Sequence, residues 1–203
     1  MDARWTDPAL AALRANRGAV LVCPSHTRPC RTIIDDATGL PVTAIDPVDL
    51  AGDEHVLLVP GETDPILHLL VEASELDAGK GVIVDRWCAY HGSPDGSRWV
   101  AWHVACARFG SDVIEADRII VPNPLGDRVP TLCRGLNADG RRLSRLCEAT
   151  ERGQESEPVA VGVDPLGLDL RGRFDVIRVR FDPPAFTDGD VLDRVAAIIG
   201  DTP

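Results

Sequence analysis

The sequence lacks any apolar run near the ~18 residues of a membrane-spanning helix. Its first residues also lack the basic start and apolar stretch of a secretory signal. Basic residues are few, 21 against 32 acidic ones, and the net charge is −11. Because nucleic-acid affinity comes largely from neutralised phosphates, this balance argues against nucleic acid as a partner. We therefore expect a soluble, cytoplasmic protein.

Paired metal-ligand motifs are also missing. There is no Cys-x-x-Cys pair, and the six cysteines are irregularly spaced, whereas zinc sites usually need tighter pairs. Cys23 and Cys30 flank a short loop and could approach each other, but buried free thiols are the rule in a reducing cytosol. The sequence thus predicts no metal site, and a metal or redox-thiol protein is the least favoured function. A GxSxG motif, a P-loop and a dinucleotide fingerprint are absent as well.

The chain has an ample supply of core residues. Hydrophobic residues make up 44% of its 203 positions, which allows one large domain or two small ones. Capping and Pro/Gly signals predict a helix over residues 7–17, and apolar periodicity predicts an amphipathic helix from Asp64 to Leu76. Short apolar runs predict strands over 19–23, 31–35, 41–46 and 55–59. Within residues 110–130, the segment 112–121 fits a helix or a strand, and the prolines at 122, 124 and 130 indicate a loop with the boundary between domains 1–129 and 130–203.

A hairpin is the clearest local signal in the middle of the chain. Ser93-Pro94-Asp95-Gly96 suits a type I turn, with proline at its second position and glycine at its fourth. The flanking segments, 81–90 and 98–108, are rich in β-branched and aromatic residues and predict two paired strands.

The register of that hairpin predicts a ligand-binding face. It places Tyr90 opposite Trp99 and Arg86 opposite His103, on one side of the sheet. The four side chains offer a titratable imidazole, a cation and two rings, which suit an anionic planar ligand such as a flavin or a porphyrin. The alternative is a half-buried sheet face or a dimer contact.

The last third of the chain reads as a small α-β-β-β-α unit. A helix is predicted over residues 137–152, strands over 158–163, 168–171 and 175–181, and a last helix after Thr187 or Asp188. In the third strand, alternation places Ile177 and Val179 inward and Arg178 and Arg180 outward.

Two segments of this region carry a family resemblance. Leu136-Asn137-Ala138-Asp139 opens a helix, and Val163-Asp164-Pro165-Leu166-Gly167-Leu168-Asp169-Leu170-Arg171 follows, ahead of an Arg-rich strand and a double proline. This pattern resembles the C-terminal domain of haem-utilisation proteins and of plant glutamyl-tRNA-reductase-binding proteins, which follows a pyridoxamine-phosphate-oxidase-like split barrel. The resemblance implies an α+β protein: a six-stranded antiparallel split β-barrel, then the small α-β-β-β-α domain.

The resemblance also implies a cofactor and a homodimer, with FMN or haem bound near the dimer interface. His68 lies in a segment similar to one that carries a histidine in the family, and Arg31 with Thr32 lies where such barrels present a basic and a hydroxyl group to a flavin phosphate. From the residues alone, His68 also fits a satisfied, partly buried histidine on a Leu-rich helix.

Two departures from the family pattern keep a second function open. Gly135 and Gly140 stand where the family has histidines, and glycine can neither ligate iron nor transfer a proton. The first hypothesis is a flavin- or haem-binding protein, for which oxidoreductase activity is left open. The alternative is a catalytically silent binding or regulatory subunit that associates with a protein partner. The sequence leaves open whether the protein is an enzyme.

Overall fold

The computed structural model describes residues 3–52, 54–60, 66–77, 81–94, 96–150 and 157–200. The chain divides into two compact units, Met1–Pro122 and Asn123–Pro203. The strands of the first unit are β1 Gly18–Val22, β2 Thr27–Arg31, β3 Ile33–Ile34, β4 Pro41–Ile45, β5 His55–Val59, β6 Leu67–Leu76, β7 Arg98–Phe109 and β8 Asp112–Ile114. Its helices are α1 Pro8–Ala15, α2 Val82–His91 and α3 Ala116–Ile119.

The strands of the first unit form one antiparallel sheet. The strands pair in the order β2-β1-β5-β6-β7-β4-β3, and β8 pairs with β7. The sheet curls until β2 lies close to β4, so the barrel is nearly closed. The predicted fold class, α+β with an antiparallel split barrel, is confirmed, although the sheet has 8 strands rather than the six that the resemblance implied.

Helix α1 begins and ends close to where the sequence predicted. The Asp7 side chain accepts a hydrogen bond from the Ala9 amide (2.9 Å), and Pro8 occupies the first turn. Arg14 is buried and donates to the Val121 carbonyl. A guanidinium is tolerated there because a backbone acceptor and the Trp5 ring, 5.3 Å away, receive it.

The segment predicted as a helix up to Leu76 is strand β6, so that prediction is wrong. The first residues of the predicted helix, Asp64 and Pro65, lie outside the described residues. Leu67, Leu69 and Val71 are buried at every second position, which is the period of a strand. The run Leu-His-Leu-Leu-Val fits either period, and pairing with β5 and β7 on both sides decides for the strand.

The predicted hairpin is wrong in its first half. Residues 82–91 form α2 instead of a strand, and β7 pairs with β4 and β6. The facing pairs Tyr90–Trp99 and Arg86–His103 therefore do not exist. Trp87 and Tyr90, three residues apart, bury one face of the helix, and this burial overrides the strand preference of Val82-Ile83-Val84. The predicted turn includes Asp95, which lies outside the described residues.

In its described residues, 123–150 and 157–200, the second unit has three α-helices and a three-stranded sheet. Its elements are α4 Val129–Asn137, α5 Gly140–Glu148, β9 Val159–Asp164, β10 Gly167–Arg171, β11 Val176–Arg180 and α6 Asp188–Ile198. The three strands and the last helix agree with their predictions. The helix predicted over 137–152 corresponds to α5, which begins at Gly140 because Asp139 caps it by accepting from the Arg142 amide (3.1 Å). Helix α4, which ends at Asn137, was not predicted. Residues 151 and 152 lie outside the described residues.

The residues that carry the family resemblance hold this unit together. Asn137 exchanges two hydrogen bonds with the Ala160 backbone (3.0 and 2.7 Å), which ties α4 to β9. A Cβ on Gly167 would lie 2.3 Å from the Val179 carbonyl oxygen, so only glycine fits there. Arg178 lies on the side of β11 opposite to Ile177 and Val179, as predicted, but it is not exposed to solvent. Its side chain is buried and paired with Asp164 and Asp169.

Among the described residues, no helix is both long and apolar enough to cross a membrane.

Candidate functional site

Two of the predicted site residues meet at the end of α2. The Arg31 guanidinium donates to the His91 carbonyl (3.1 Å), and the His91 ring lies 2.9 Å from the Thr32 carbonyl oxygen. Arg31 is exposed, whereas Thr32 is only 2% exposed and its amide donates to the Arg17 carbonyl. The Thr32 hydroxyl is thus not presented beside Arg31, and the phosphate role of the pair stays a prediction.

Three further predicted residues surround the same helix. Arg86 forms an ion pair with Asp36, and its guanidinium lies 5.7 Å from the centre of the Tyr90 ring. Trp99 packs edge-on against Trp87, with 5.3 Å between the ring centres. Tyr90 and Trp99 are both buried, so their faces are occupied by the core and their cofactor role stays a prediction.

The two predicted histidines lie apart from that group, on the outside of the barrel. His68 on β6 is opposite Leu58 on one side and Arg108 on the other, while His103 on β7 is opposite Glu72. Within the part of the chain that the structure describes, neither ring of this pair has a hydrogen-bond partner. Five predicted residues therefore gather at α2, and the two histidines belong to a different surface.

That surface is the outer side of the strands β2, β1, β5, β6, β7 and β8, and we call it the outer face. Paired residues of an antiparallel sheet share one side, so the register defines two rows across it. The first row is Pro29, Val20, Leu58, His68, Arg108 and Val113; the second is Thr27, Val22, Val56, Leu70 and Cys106.

The outer face is apolar and lacks carboxylates in these rows, although acidic residues outnumber basic ones in the chain. Leu70 is 43% exposed and Val113 is 73% exposed. The aliphatic residues of β1 and β5 in these rows are half-buried. Large apolar patches that stay accessible to solvent mark interaction or ligand-binding surfaces. Sequence reasoning missed the outer face, although one signal was present. Strands β1 and β5 are apolar at consecutive positions, which is typical of strands covered on both sides.

His68 and Arg108 are the polar groups at the centre of the outer face. They occupy facing positions on neighbouring strands, which lie about 4.8 Å apart. Arg108 makes no ion pair with any described residue. An imidazole and a guanidinium, both without a hydrogen-bond or ion-pair partner in the part of the chain that the structure describes, therefore lie side by side among aliphatic side chains.

A second cluster lies near the loop that joins β1 to β2. The Asp49 carboxylate is buried; one oxygen lies 2.8 Å from His26 Nε2 and the other accepts from Arg28 (2.7 Å). Cys23 donates its thiol hydrogen to the Asp49 carbonyl at 3.3 Å. The cluster escaped sequence reasoning because Asp49 is 23 residues from His26, although the Cys-x-x-His spacing was a signal.

The charges and hydrogen bonds of this cluster shift the pKa values of Asp49 and Cys23. Burial alone would raise the pKa of Asp49, but hydrogen bonds from His26 and the Asp46 amide, together with the Arg28 charge, hold that pKa below its usual value. Burial raises the pKa of the Cys23 thiol, and the Asp49 charge raises it further. The ground state therefore has an ionised Asp49 and a protonated Cys23.

A cleft of about 460 Å³ lies near this cluster. Its lining includes His55, whose Nε2 lies 2.9 Å from the Asp49 carbonyl oxygen. Glu72 and Glu75 line the same cleft. This acidic lining suits a cationic or neutral ligand better than an anionic cofactor.

Comparison with known proteins supports the fold. No protein-family model matches the chain, and no curated protein matches it either. A crystal structure of the protein Atu2129, of unknown function, from Agrobacterium tumefaciens is similar with a TM-score of 0.74 at 17% identity, over 94% of this chain and 93% of that one. A haem-binding protein from Mycobacterium smegmatis gives a TM-score of 0.45 at 16% identity, over 96% of both chains. At these identities, the likeness to the Agrobacterium structure shows a shared fold.

Proposed function

We propose that the protein is a homodimeric haem-binding protein that uses the outer face of its barrel, with His68 as the iron ligand and Arg108 as a partner of a propionate. The observation that carries the proposal is an imidazole beside a guanidinium, neither with a hydrogen-bond or ion-pair partner among the described residues, in two apolar rows of the sheet that contain no carboxylate. Bound haem would supply an iron centre for redox or oxygen chemistry.

The residues of the outer face fit haem better than FMN. Haem needs a donor for its iron, apolar cover for its ring and cations for its propionates. His68 provides the first, its neighbours Leu58 and Leu70 the second, and Arg108 the third. An FMN phosphate needs converging donors, but at its expected place the Thr32 side chain is buried while Arg31 is exposed.

The same face supports a homodimer. Strands β1 and β5 carry Val20, Val22, Val56 and Leu58 on their outer side, where water would otherwise meet apolar surface. A stable interface buries about 800 Å² per partner, and rows that cross the outer side of six strands offer a surface of that order. If a second copy of the chain packs its outer face on this one, no carboxylates of the two rows face each other, so they cause no like-charge repulsion.

Haem titration tests the cofactor. We expect wild-type protein to give the Soret band of histidine-ligated haem with about one haem per chain. The variant His68→Ala should lose that spectrum, whereas His103→Ala, the matched control outside the two rows, should keep it. Arg108→Leu should keep the ligation and bind haem about tenfold more weakly, because one charge-assisted hydrogen bond is worth about 1.5 kcal/mol or more. Equal spectra for the two histidine variants would refute this site.

Sedimentation tests the dimer. Leu70→Glu places a charge on the outer face, so we expect this variant to sediment as a monomer. Val82→Glu is the matched control, because Val82 is also aliphatic, is 82% exposed and lies on α2, away from that face. A Leu70→Glu variant that sediments as a dimer would contradict the assignment of this interface.

The second candidate is a cofactor-free module that binds a protein partner through the same outer face. Gly135 and Gly140 favour it, because they stand where the family that the sequence resembles has histidines, and a Cβ at either position would meet nothing within 4 Å. Wild-type protein that takes up no haem but whose partner binding is abolished by Leu70→Glu would establish this candidate in place of the first.

A further inference from the structure

We propose that Cys23, His26 and Asp49 form a binding site for a divalent transition-metal ion of the zinc class. The thiol sulfur, a ring nitrogen and a carboxylate oxygen of these residues all lie within 4.8 Å of one another. This site is separate from His68 and Arg108, and it does not depend on haem binding.

The loop between β1 and β2 brings the first two ligands together. The Cys23 amide donates to the His26 carbonyl at 2.8 Å, so the chain reverses within a Cys-x-x-His segment. Tetrahedral zinc, with bonds of about 2.0–2.3 Å, holds its ligand atoms roughly 3.3–3.8 Å apart. The His26 and Asp49 ligand atoms are 2.8 Å apart, and all three lie within 4.8 Å of one another, so binding requires shifts of about 1 Å or less in their separations.

The neighbouring residues orient the ligands as a metal requires. Ser25 Oγ lies 3.0 Å from His26 Nδ1, which leaves Nε2 directed at Asp49. Metal-bound histidines usually have such a hydrogen bond on the second nitrogen. Arg28 and the Asp46 amide hold the other Asp49 oxygen, so the carboxylate is fixed before any ion arrives.

The donor set favours zinc-like ions over magnesium or calcium. A thiolate and an imidazole are ligands of softer transition metals, whereas magnesium and calcium take oxygen. On binding, the ion replaces the thiol proton of Cys23 and the proton that His26 Nε2 shares with Asp49, and both are released to solvent. The thiolate and carboxylate charges balance the ion, and Arg28 stays paired with Asp46.

Three protein ligands leave a fourth position for water. The His26 side chain is 34% exposed, so solvent reaches this edge of the cluster, while Asp49 is 1% exposed. Three ligands with an open position are the pattern of zinc sites that bind water or a substrate, whereas purely structural sites have four protein ligands.

Cobalt substitution tests the site in the full-length, reduced protein. We expect Co²⁺ to bind at one ion per chain, with a thiolate charge-transfer band and the visible bands of tetrahedral cobalt, and Zn²⁺ to displace it. Cys23→Ser should abolish the charge-transfer band, while Cys88→Ser, which removes an exposed thiol on α2, should keep it.

Two further variants make the test decisive. His26→Gln should lower cobalt affinity by at least tenfold. Circular dichroism shows whether each variant is folded, so His26→Gln still tests the site if Cys23→Ser unfolds. Ser25→Ala should weaken binding by about 10- to 100-fold, as expected for loss of an orienting hydrogen bond. Wild-type protein without the charge-transfer band, or a band that persists in Cys23→Ser, would overturn the proposal.

Discussion

Replacing Arg178 with methionine should strongly destabilise the second unit. Arg178 is 8% exposed in its side chain and donates to Asp169 (3.1 Å) and to Asp164, both buried. A hydrogen bond to a charged group is worth about 1.5–3 kcal/mol, so two of them amount to about 3–6 kcal/mol. Leaving buried charges without their partner costs about 3–5 kcal/mol, which agrees with the sum of the two hydrogen bonds. We expect a loss of about 3–5 kcal/mol.

The matched control lies two residues further along the same strand. Arg180 also belongs to β11 but is exposed, so Arg180→Met should change stability by no more than about 0.5 kcal/mol. All four tryptophans lie in Met1–Pro122, so fluorescence would report the wrong unit. Amide hydrogen exchange in β10 is the suitable assay, with exchange roughly 100- to 4,000-fold faster in Arg178→Met. Costs within 1 kcal/mol of each other for the two variants would refute the reasoning.

Three further predictions concern single residues. Gly135→Ala should stabilise the protein by about 0.5–1 kcal/mol in chemical denaturation, because glycine is costly within a helix and the added methyl meets no atom within 4 Å. Hydrogen bonds from the Phe186 amide and from Thr187 lower the pKa of Asp190 in the folded protein. The ionised Asp190 therefore stabilises α6 fully above the unfolded-state pKa of about 3.9, and this stabilisation is lost as the pH falls through the folded-state pKa. Asp190→Asn should remove that acid dependence of α6 exchange. Burial raises the pKa of Cys30 to about 12, so mass spectrometry should find it unalkylated by iodoacetamide at pH 8 until the protein is denatured.

Local signals in the sequence predicted the elements whose ends are set by adjacent residues. Asp7 and Thr187 cap the helices that they were expected to cap, and the Thr187 cap forms a capping box with Asp190. The Asp164 side chain accepts from the Leu166 amide (2.8 Å) and closes the turn between β9 and β10. Each of these contacts joins residues at most three positions apart, so a short stretch of sequence contains both partners.

Elements whose form depends on distant partners were predicted wrongly. Strand β6 has apolar residues at both helical and strand spacings, and its hydrogen bonds come from β5 and β7. Helix α2 begins with Val82, Ile83 and Val84, a run that favours a strand. Burial of Trp87 against Trp99 supplies a tertiary contact that outweighs this local preference.

The candidate sites show the same division. His68 was singled out from the sequence, but its neighbour Arg108 follows from the register of β6 against β7. Cys23 and His26 are three residues apart in one loop, whereas the buried Asp49 is brought beside them only by the tertiary structure.

The sequence by itself determined the capped helices and the turn of the second unit, because each rests on local signals, whereas the antiparallel barrel class was implied by the family resemblance. Only the tertiary structure decided which sides of the strands face water and which charges are buried together. Arg178 and Arg180 illustrate the difference: both follow an apolar residue in an alternating strand, yet one is exposed and the other is paired with Asp164. Burial and strand register depend on residues far apart in the chain, and no local pattern contains that information.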